Sequence, residues 1–360
     1  GNAQAKLVGL ATAVTEHHLP VFHEVFPGNE NDAKLFQEVV EEMLEALLKL
    51  GVASEELVFV FDKGVSSEEG WRLLARHRTH FVSSLKRTQA IDLLARPIRA
   101  YRRLFVTEQG EPILGFRVSR RTVLGIPGTV VVTYNESAKH RQEQGYERAK
   151  ARFLAECREI GERLSRPHRG RRTTTQSLTE RIEDVLPPKW RGVFKYHIGA
   201  TLDRGFPKFQ VRAWVDPKKE QELRSGFGKM VLFTDREDWD DEKIVRTYFA
   251  RSAMEEDFHV LKDVLLMPVM PIFHRKDPRI RVHAFLCVLG LLFYRWIQLR
   301  LEKELGQGTP IDRLARSLGG IRVAAVTDAK GKGGRWVLEK VRDERKELVE
   351  ALQLARRIPN

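Results

Sequence analysis

The sequence predicts an α/β fold, a mixed sheet flanked by helices. Short apolar runs bounded by turn residues, such as Glu56 to Phe61 (ELVFVF) and Lys229 to Thr234 (KMVLFT), have the length and composition of buried strands. Longer stretches, such as Ala33 to Leu50, repeat apolar residues at helical spacing. One stretch, Tyr248 to Lys262, also lines up four polar residues along one face.

Composition narrows the partners. The 360 residues carry 62 Lys and Arg against 49 Asp and Glu, a formal charge of +13. Such an excess favours a polyanion, nucleic acid first and anionic membrane second. Hydrophobic content of 42% allows a sizeable core. Cys157 and Cys287 form neither a disulfide framework nor a metal spacing and fit a reducing compartment. The apolar run Ala284 to Tyr294 is too short to span a bilayer and predicts a buried helix.

Lys6 to Thr15 reads as a strand covered on both faces, and Leu19 to Phe26 as its antiparallel partner after a polar turn. Pro27-Gly28-Asn29 is turn chemistry, and Asp32 is placed to cap the helix from Ala33. The run to Phe61 predicts a central strand with Asp62 at its C-terminal end, where α/β sheets bind ligands. Lys63 and Gly64 follow, and Ser66 with Glu69 makes a capping box. His80 to Lys86 is a further strand.

Residues 101–227 read as an insertion. Tyr101 to Val106, Ile113 to Ser119 and Gly128 to Tyr134 are strand-like, with turns at Gly-Glu-Pro and Pro-Gly. Glu136 to Ser165 is a long polar helix, Arg166 to Arg172 a basic loop, and Ser177 to Val185 a helix. Val193 to Thr201 and Phe206 to Val215 form a hairpin. Trp190, Tyr196 and Trp214 are either core or stacking surfaces for unpaired bases. After the strand at Lys229 come the helix to Lys262, an apolar helix from Ile280 to Leu301, the loop Gly331 to Gly334, and a charged helix from Val337 to Leu354. The resulting divisions are 1–100, 101–227, 228–305 and a tail, 306–360.

The stretch Tyr248 to Lys262 contains no Gly or Pro and reads as one helix, with Asp240 and Asp241 as cap and first-turn acids. On an ideal helix Tyr248, Arg251, Glu255 and Lys262 fall on one stripe, within about 60° of one another relative to Tyr248. Glu256 lies about 80° away. An ordinary solvated face gives the same pattern at random spacing.

The spacing Tyr, two residues, Arg, three residues, Glu, six residues, Lys resembles the signature of the insertion-sequence-four superfamily of DDE transposases. Asp62-Lys63-Gly64 is similar to that family's second acidic position, the GNxxD turn before the first helix recurs there, and HRKDPRIRVHAFLCVLGLLF resembles the segment after its catalytic helix. The resemblance implies a ribonuclease H-like core with a β-rich insertion before the Glu-bearing helix. It implies DNA cleavage and strand transfer with Mg²⁺, or Mn²⁺ as substitute, held by Asp62 and Glu255. Arg251, Lys262 and Tyr248 would then hold double-stranded DNA at the element ends and target. A homodimer, a bacterial or archaeal cytoplasmic setting at the nucleoid and no membrane association are implied as well.

The sequence departs from the family in one respect. No acid ends a first strand ahead of the opening strand pair, so the chain is expected to be a fragment lacking the first Asp and the first central strand. Two other readings stay open: a non-catalytic DNA-binding remnant, and an unrelated two-metal nuclease.

Overall fold

Strands and helices alternate along the residues described by the computed structural model, which are 8–28, 32–64, 67–165, 174–203, 206–263, 269, 272–306, 308–327 and 334–357. They divide into two units, Gly1–Leu57 with Phe249–Asn360, and Val58–Tyr248. The loop at 166–172, Ser66 and residues 331–333 lie outside the described residues, as does the side chain of Asp32.

The first unit opens with an antiparallel hairpin of β1 (Val8–Val14) and β2 (Pro20–Pro27). Its turn is closed by the His18 amide, which donates to the Thr15 carbonyl at 2.9 Å. β1 was expected to be covered on both faces. Among the described residues it pairs only with β2, and every residue in it is at least partly exposed. Helix α1 (Asp32–Lys49) follows.

The second unit is built on β3 (Val58–Phe61), α2 (Glu68–Arg76), β4 (His80–Ser84), α3 (Ile91–Leu94), β5 (Arg102–Val106), β6 (Pro112–Val123) and β7 (Ile126–Tyr134). It continues through α4 (Glu136–Ser165), α5 (Thr175–Val185), β8 (Phe194–Asp203), β9 (Phe206–Val215), α6 (Pro217–Ser225), β10 (Lys229–Thr234) and α7 (Asp241–Ala250). Six strands form one mixed sheet in the order β3-β4-β10-β7-β6-β5, with β3 and β4 parallel and the other pairs antiparallel. β3 is therefore an edge strand and not the central one its apolar run suggests. Among the described residues only β4 flanks it, and three of its four residues stay partly exposed.

Helix α2 starts at Ser67, whose hydroxyl accepts the Gly70 amide at 3.1 Å. It lays Trp71 on the sheet against Phe81 and Phe233, with ring centroids 5.4 and 5.0 Å away. All three rings are almost fully buried, and such aromatic clusters carry much of a core's hydrophobic free energy.

Part of the block expected as an insertion belongs to this sheet, since β5, β6 and β7 are three of its six strands. The remainder builds its own core, where Tyr146 and Phe153 of α4 meet Ile182 of α5, Trp190 and Phe194. The β6–β7 turn lies at Leu124 and Gly125, both with positive φ (48° and 78°), and not at Pro127-Gly128. Gly128 is instead a contact point of β7, because a Cβ there would sit 2.5 Å from the Thr234 carbonyl and 2.8 Å from the Phe233 ring.

The first unit resumes with α8 (Ser252–Lys262), α9 (Asp277–Leu305), α10 (Ile311–Gly319), β11 (Val323–Val326), β12 (Arg335–Leu338) and α11 (Asp343–Ala351). The charged helix expected from Val337 is shorter, because Arg335–Leu338 pairs as a strand with β11. Helix α9 was expected to be buried. It buries Ile280, Ala284, Cys287, Val288, Leu291 and Leu301, while Val282, Phe285, Leu286, Phe293 and Trp296 remain exposed.

Candidate active site

Asp62 follows the last residue of β3. The parallel register pairs Phe61 with Ser83, which brings Asp62 level with Ser84 at the end of β4. The Ser84 hydroxyl donates to Asp62 Oδ1 at 2.6 Å, a charge-assisted bond. The Lys63 amide is shared between Asp62 Oδ1 at 2.7 Å and Ser84 Oγ at 3.1 Å. The Tyr248 hydroxyl donates to the same carboxylate oxygen at 3.2 Å, across 186 residues of sequence. Three donors on one oxygen fix the direction of a half-buried carboxylate at the carboxyl end of two parallel strands.

Tyr248 is itself buried, on α7. Asp240 caps that helix by accepting the Lys243 amide at 2.7 Å. The buried Asp241 takes Arg102 of β5 at 2.6 Å and Arg117 of β6 at 3.2 Å. Arg117 also donates to the Trp239 and Glu237 carbonyls at 2.7 and 2.8 Å. The start of α7 is thus tied to the far side of the sheet, and its last turn delivers the phenol to Asp62.

The single helix expected from Tyr248 to Lys262 is two helices. Tyr248 lies in α7, Glu255 and Lys262 in α8, and Arg251 between them. Arg251 keeps helical dihedrals (φ −57°, ψ −28°), but the Met254 amide turns to the Arg251 carbonyl three residues back, at 3.0 Å. This tightening of the ladder interrupts the helix without a Gly or Pro, so the ideal-helix stripe does not run through it. Arg251 is half-buried and Lys262 exposed. The Glu255 side chain lies outside those described.

Helix α8 is fixed in the first unit by Val260 and Leu261 against Cys287 and Leu291 of α9. It is also held by a buried ion pair, in which Arg295 Nε donates to Asp257 Oδ1 at 2.7 Å. Burial pushes the Asp257 carboxyl up, and the Arg295 guanidinium and nearby His18 oppose that shift. Asp257 Oδ2 has no hydrogen-bond donor among the described residues, with His18 Nδ1 3.8 Å away. Glu256, next in sequence to Glu255, is mostly exposed.

A cationic surface lies elsewhere in the second unit. β8 and β9 pair Lys195 with Trp214, His197 with Arg212, Gly199 with Gln210 and Thr201 with Lys208. The alternate residues, including Tyr196, Ile198, Phe209 and Val211, pack on the core of α4 and α5. The eight residues of these pairs share one face, with Asp203, whose side chain lies outside those described, next in the same alternation. Of the three aromatics named from sequence, Trp190 is buried, Tyr196 is half-buried with its hydroxyl on Glu183 at 2.8 Å, and Trp214 is exposed on this ribbon.

Sequence reasoning missed Ser84, because its role depends on the register of two parallel strands. Two consecutive strands both ending in polar residues were the available signal. It also missed the Asp257–Arg295 pair and the gathering of Lys195, His197, Lys208 and Arg212 on one face of the ribbon.

Among the described residues no three His, Cys, Asp or Glu side chains are grouped to hold a metal ion. Asp62 is a hard oxygen donor held in one direction, which suits it as one ligand of a hard divalent cation. The family model described as "Transposase DDE domain" matches residues 6–293, a range that includes Asp62, Tyr248, Arg251, Glu255 and Lys262. No curated protein matches the chain.

Proposed function

Since the chain belongs to the transposase DDE-domain family, we propose that it acts on DNA by phosphoryl transfer, with Asp62 and Glu255 as carboxylates of the active site. The observation that carries this reading is the bond from Tyr248, first residue of the Tyr-Arg-Glu-Lys signature, to the strand-end Asp62. It supports a positioning role for Tyr248 toward Asp62, beside the DNA contact that the family resemblance implies. The finer assignment, to the insertion-sequence-four superfamily, rests on that signature and on Asp62-Lys63-Gly64.

In this reading Ser84, the Lys63 amide and Tyr248 orient Asp62, and Glu255 supplies a second carboxylate. Asp62 and Glu255 would hold divalent Mg²⁺, which would supply activation of a hydroxyl nucleophile and charge stabilisation of the leaving oxygen. Arg251 and Lys262 hold DNA phosphates, the first as a fork and the second as a point charge. The β8–β9 ribbon adds a second contact. A two-stranded ribbon fits the major groove of duplex DNA, its cations meet phosphates, and Trp214 offers a stacking face.

The test is nicking and joining of duplex DNA bearing the element's ends, with Mg²⁺ present and absent. Cleavage that needs Mg²⁺ and is lost in both Asp62→Ala and Glu255→Ala supports the reading. Cleavage that survives either substitution sinks it. One observation bears on a second reading, a DNA-binding protein that does not cut: among the described residues, which leave out the Glu255 side chain, no three acidic side chains are grouped. Tight DNA binding without nicking at any Mg²⁺ or Mn²⁺ concentration would establish it. Cutting without joining marks an unrelated nuclease.

A further inference from the structure

Helix α7 buries one face, made of Asp241, Ile244, Val245 and Tyr248, none more than 5% exposed. Asp241 and Tyr248, seven residues apart, lie within about 20° of each other around the axis and about 10 Å apart along it. Between them Ile244 and Val245 supply apolar burial, which is non-directional and fixes the register of a helix only weakly. The two polar groups stand at the ends of the stripe. Tyr248 gives its hydroxyl to Asp62. Asp241 has no equivalent local duty, because Asp240 already caps the helix, and a carboxylate is costly to bury unless it is paired and hydrogen-bonded.

Arg117 of β6 meets that buried charge. Its Nη1 donates to Asp241 Oδ1 at 3.2 Å and to the Trp239 carbonyl at 2.7 Å. Its Nη2 donates to the Glu237 carbonyl at 2.8 Å and the Thr129 hydroxyl at 3.3 Å, and its Nε to the Ser119 hydroxyl at 3.2 Å. One guanidinium thus ties its own strand, β7, the approach to α7 and the first turn of α7 together, with every N–H used. Arg102 of β5 takes Asp241 Oδ2 at 2.6 Å. At the far end of the helix the tolerance is small. The Tyr248–Asp62 bond is 3.2 Å long, and a slip of about 0.4 Å ends it as a hydrogen bond. Ser84 and the Lys63 amide reach Asp62 from β4 and from the end of β3, without passing through α7.

We propose that Arg117 and Asp241 are positioning residues for Asp62. They set the register of α7 at its start, and the helix carries that register to the Tyr248 hydroxyl. All of these residues belong to the second unit. The functional weight of the arrangement rests on the reading of Asp62 as an active-site carboxylate, whereas the coupling of Arg117 to Tyr248 rests on the geometry alone. An arginine that served only to stabilise the loop before α7 would leave the Tyr248 bond unchanged in a folded variant.

Fluorotyrosine placed at position 248 of the full chain reads the bond by fluorine NMR, and Asp62→Ala gives the signal of the released phenol. Arg117→Met should move the fluorine resonance most of the way to that signal, with the circular dichroism spectrum retained. The double variant Arg117→Met, Asp241→Leu removes the buried charge together with its partner, so it keeps the test open where the single variant does not fold. Calorimetry with Mn²⁺ on the unlabelled chain gives the functional readout. Arg117→Met should weaken binding by the same factor as Tyr248→Phe, and the two together should do no more than either alone, as expected of residues that act through one bond. An unmoved fluorine resonance in the folded variants overturns the proposal, and so do losses of Mn²⁺ affinity that add. A moved resonance in a chain whose parent binds no Mn²⁺ supports the coupling and sinks the active-site reading instead.

Discussion

Replacing Arg295 by Met should destabilise the first unit severely, and a second substitution should rescue it. Arg295 and Asp257 have side chains only 9% and 5% exposed, and Arg295 Nε is the hydrogen-bond donor of Asp257 Oδ1. Removing the guanidinium leaves a buried carboxylate without its cation, which costs about 3–5 kcal/mol, a large share of a domain stability of about 5–15 kcal/mol. The pair is itself poorly satisfied, because Asp257 Oδ2 has no donor among the described residues. The double variant Asp257→Leu, Arg295→Met should therefore return to within about 1 kcal/mol of the parent or exceed it.

The sign of the pH dependence follows from burial. The folded pKa of Asp257 lies above its unfolded value, chiefly through burial. The folded protein thus binds the proton first as pH falls, so the destabilisation is full above the folded pKa and is relieved on the way down to the unfolded one. Arg295→Met raises that folded pKa further, so the variant should regain stability on acidification below neutral pH, while the double variant should not. Urea unfolding followed by circular dichroism measures both effects. A loss below about 1 kcal/mol in Arg295→Met, or equal losses in the single and double variants, would refute the reasoning.

Three further outcomes are expected. Ser84→Ala should weaken Mn²⁺ binding about 10–100-fold, measured by calorimetry, and Tyr248→Phe should do less, since its bond to Asp62 is longer. Lys195→Ala and Arg212→Ala should each lower the slope of log affinity for DNA against log salt by about 1 if each meets one phosphate, measured by fluorescence anisotropy. Gly128→Ala should destabilise the second unit by about 1–3 kcal/mol in thermal unfolding, as its Cβ would collide with the Thr234 carbonyl and the Phe233 ring.

The parts of the fold legible in the sequence are those set by local pattern. Glu136 to Ser165 was read to both ends because its polar helical composition begins after a strand and stops at a basic loop. Asp62 stood out because an apolar run ends on it. What escaped was set at long range. Ser84 matters through a parallel register. The interruption at Arg251 carries no breaker residue. Pro127-Gly128 has strong turn chemistry, yet the turn falls at Leu124-Gly125, and the missing Cβ of Gly128 serves the packing of β7 against β10. In α9, apolar residues on every side read as burial, when Val282, Phe285, Leu286, Phe293 and Trp296 stay exposed.

Strand β10 has one consequence for how the chain matures. It is the seam between β4 on one side and β7 on the other, so β3–β4 and β5–β6–β7 do not pair directly. Each of these groups can form as its residues leave the ribosome, but they join only after residues 135–228 have been made and β10 arrives. Closing so long a loop is slow relative to local pairing. Tyr248 follows β10 in sequence, so its hydroxyl reaches Asp62 last. A nascent chain therefore carries its strand-end carboxylate without the group that orients it until most of the protein has been synthesised.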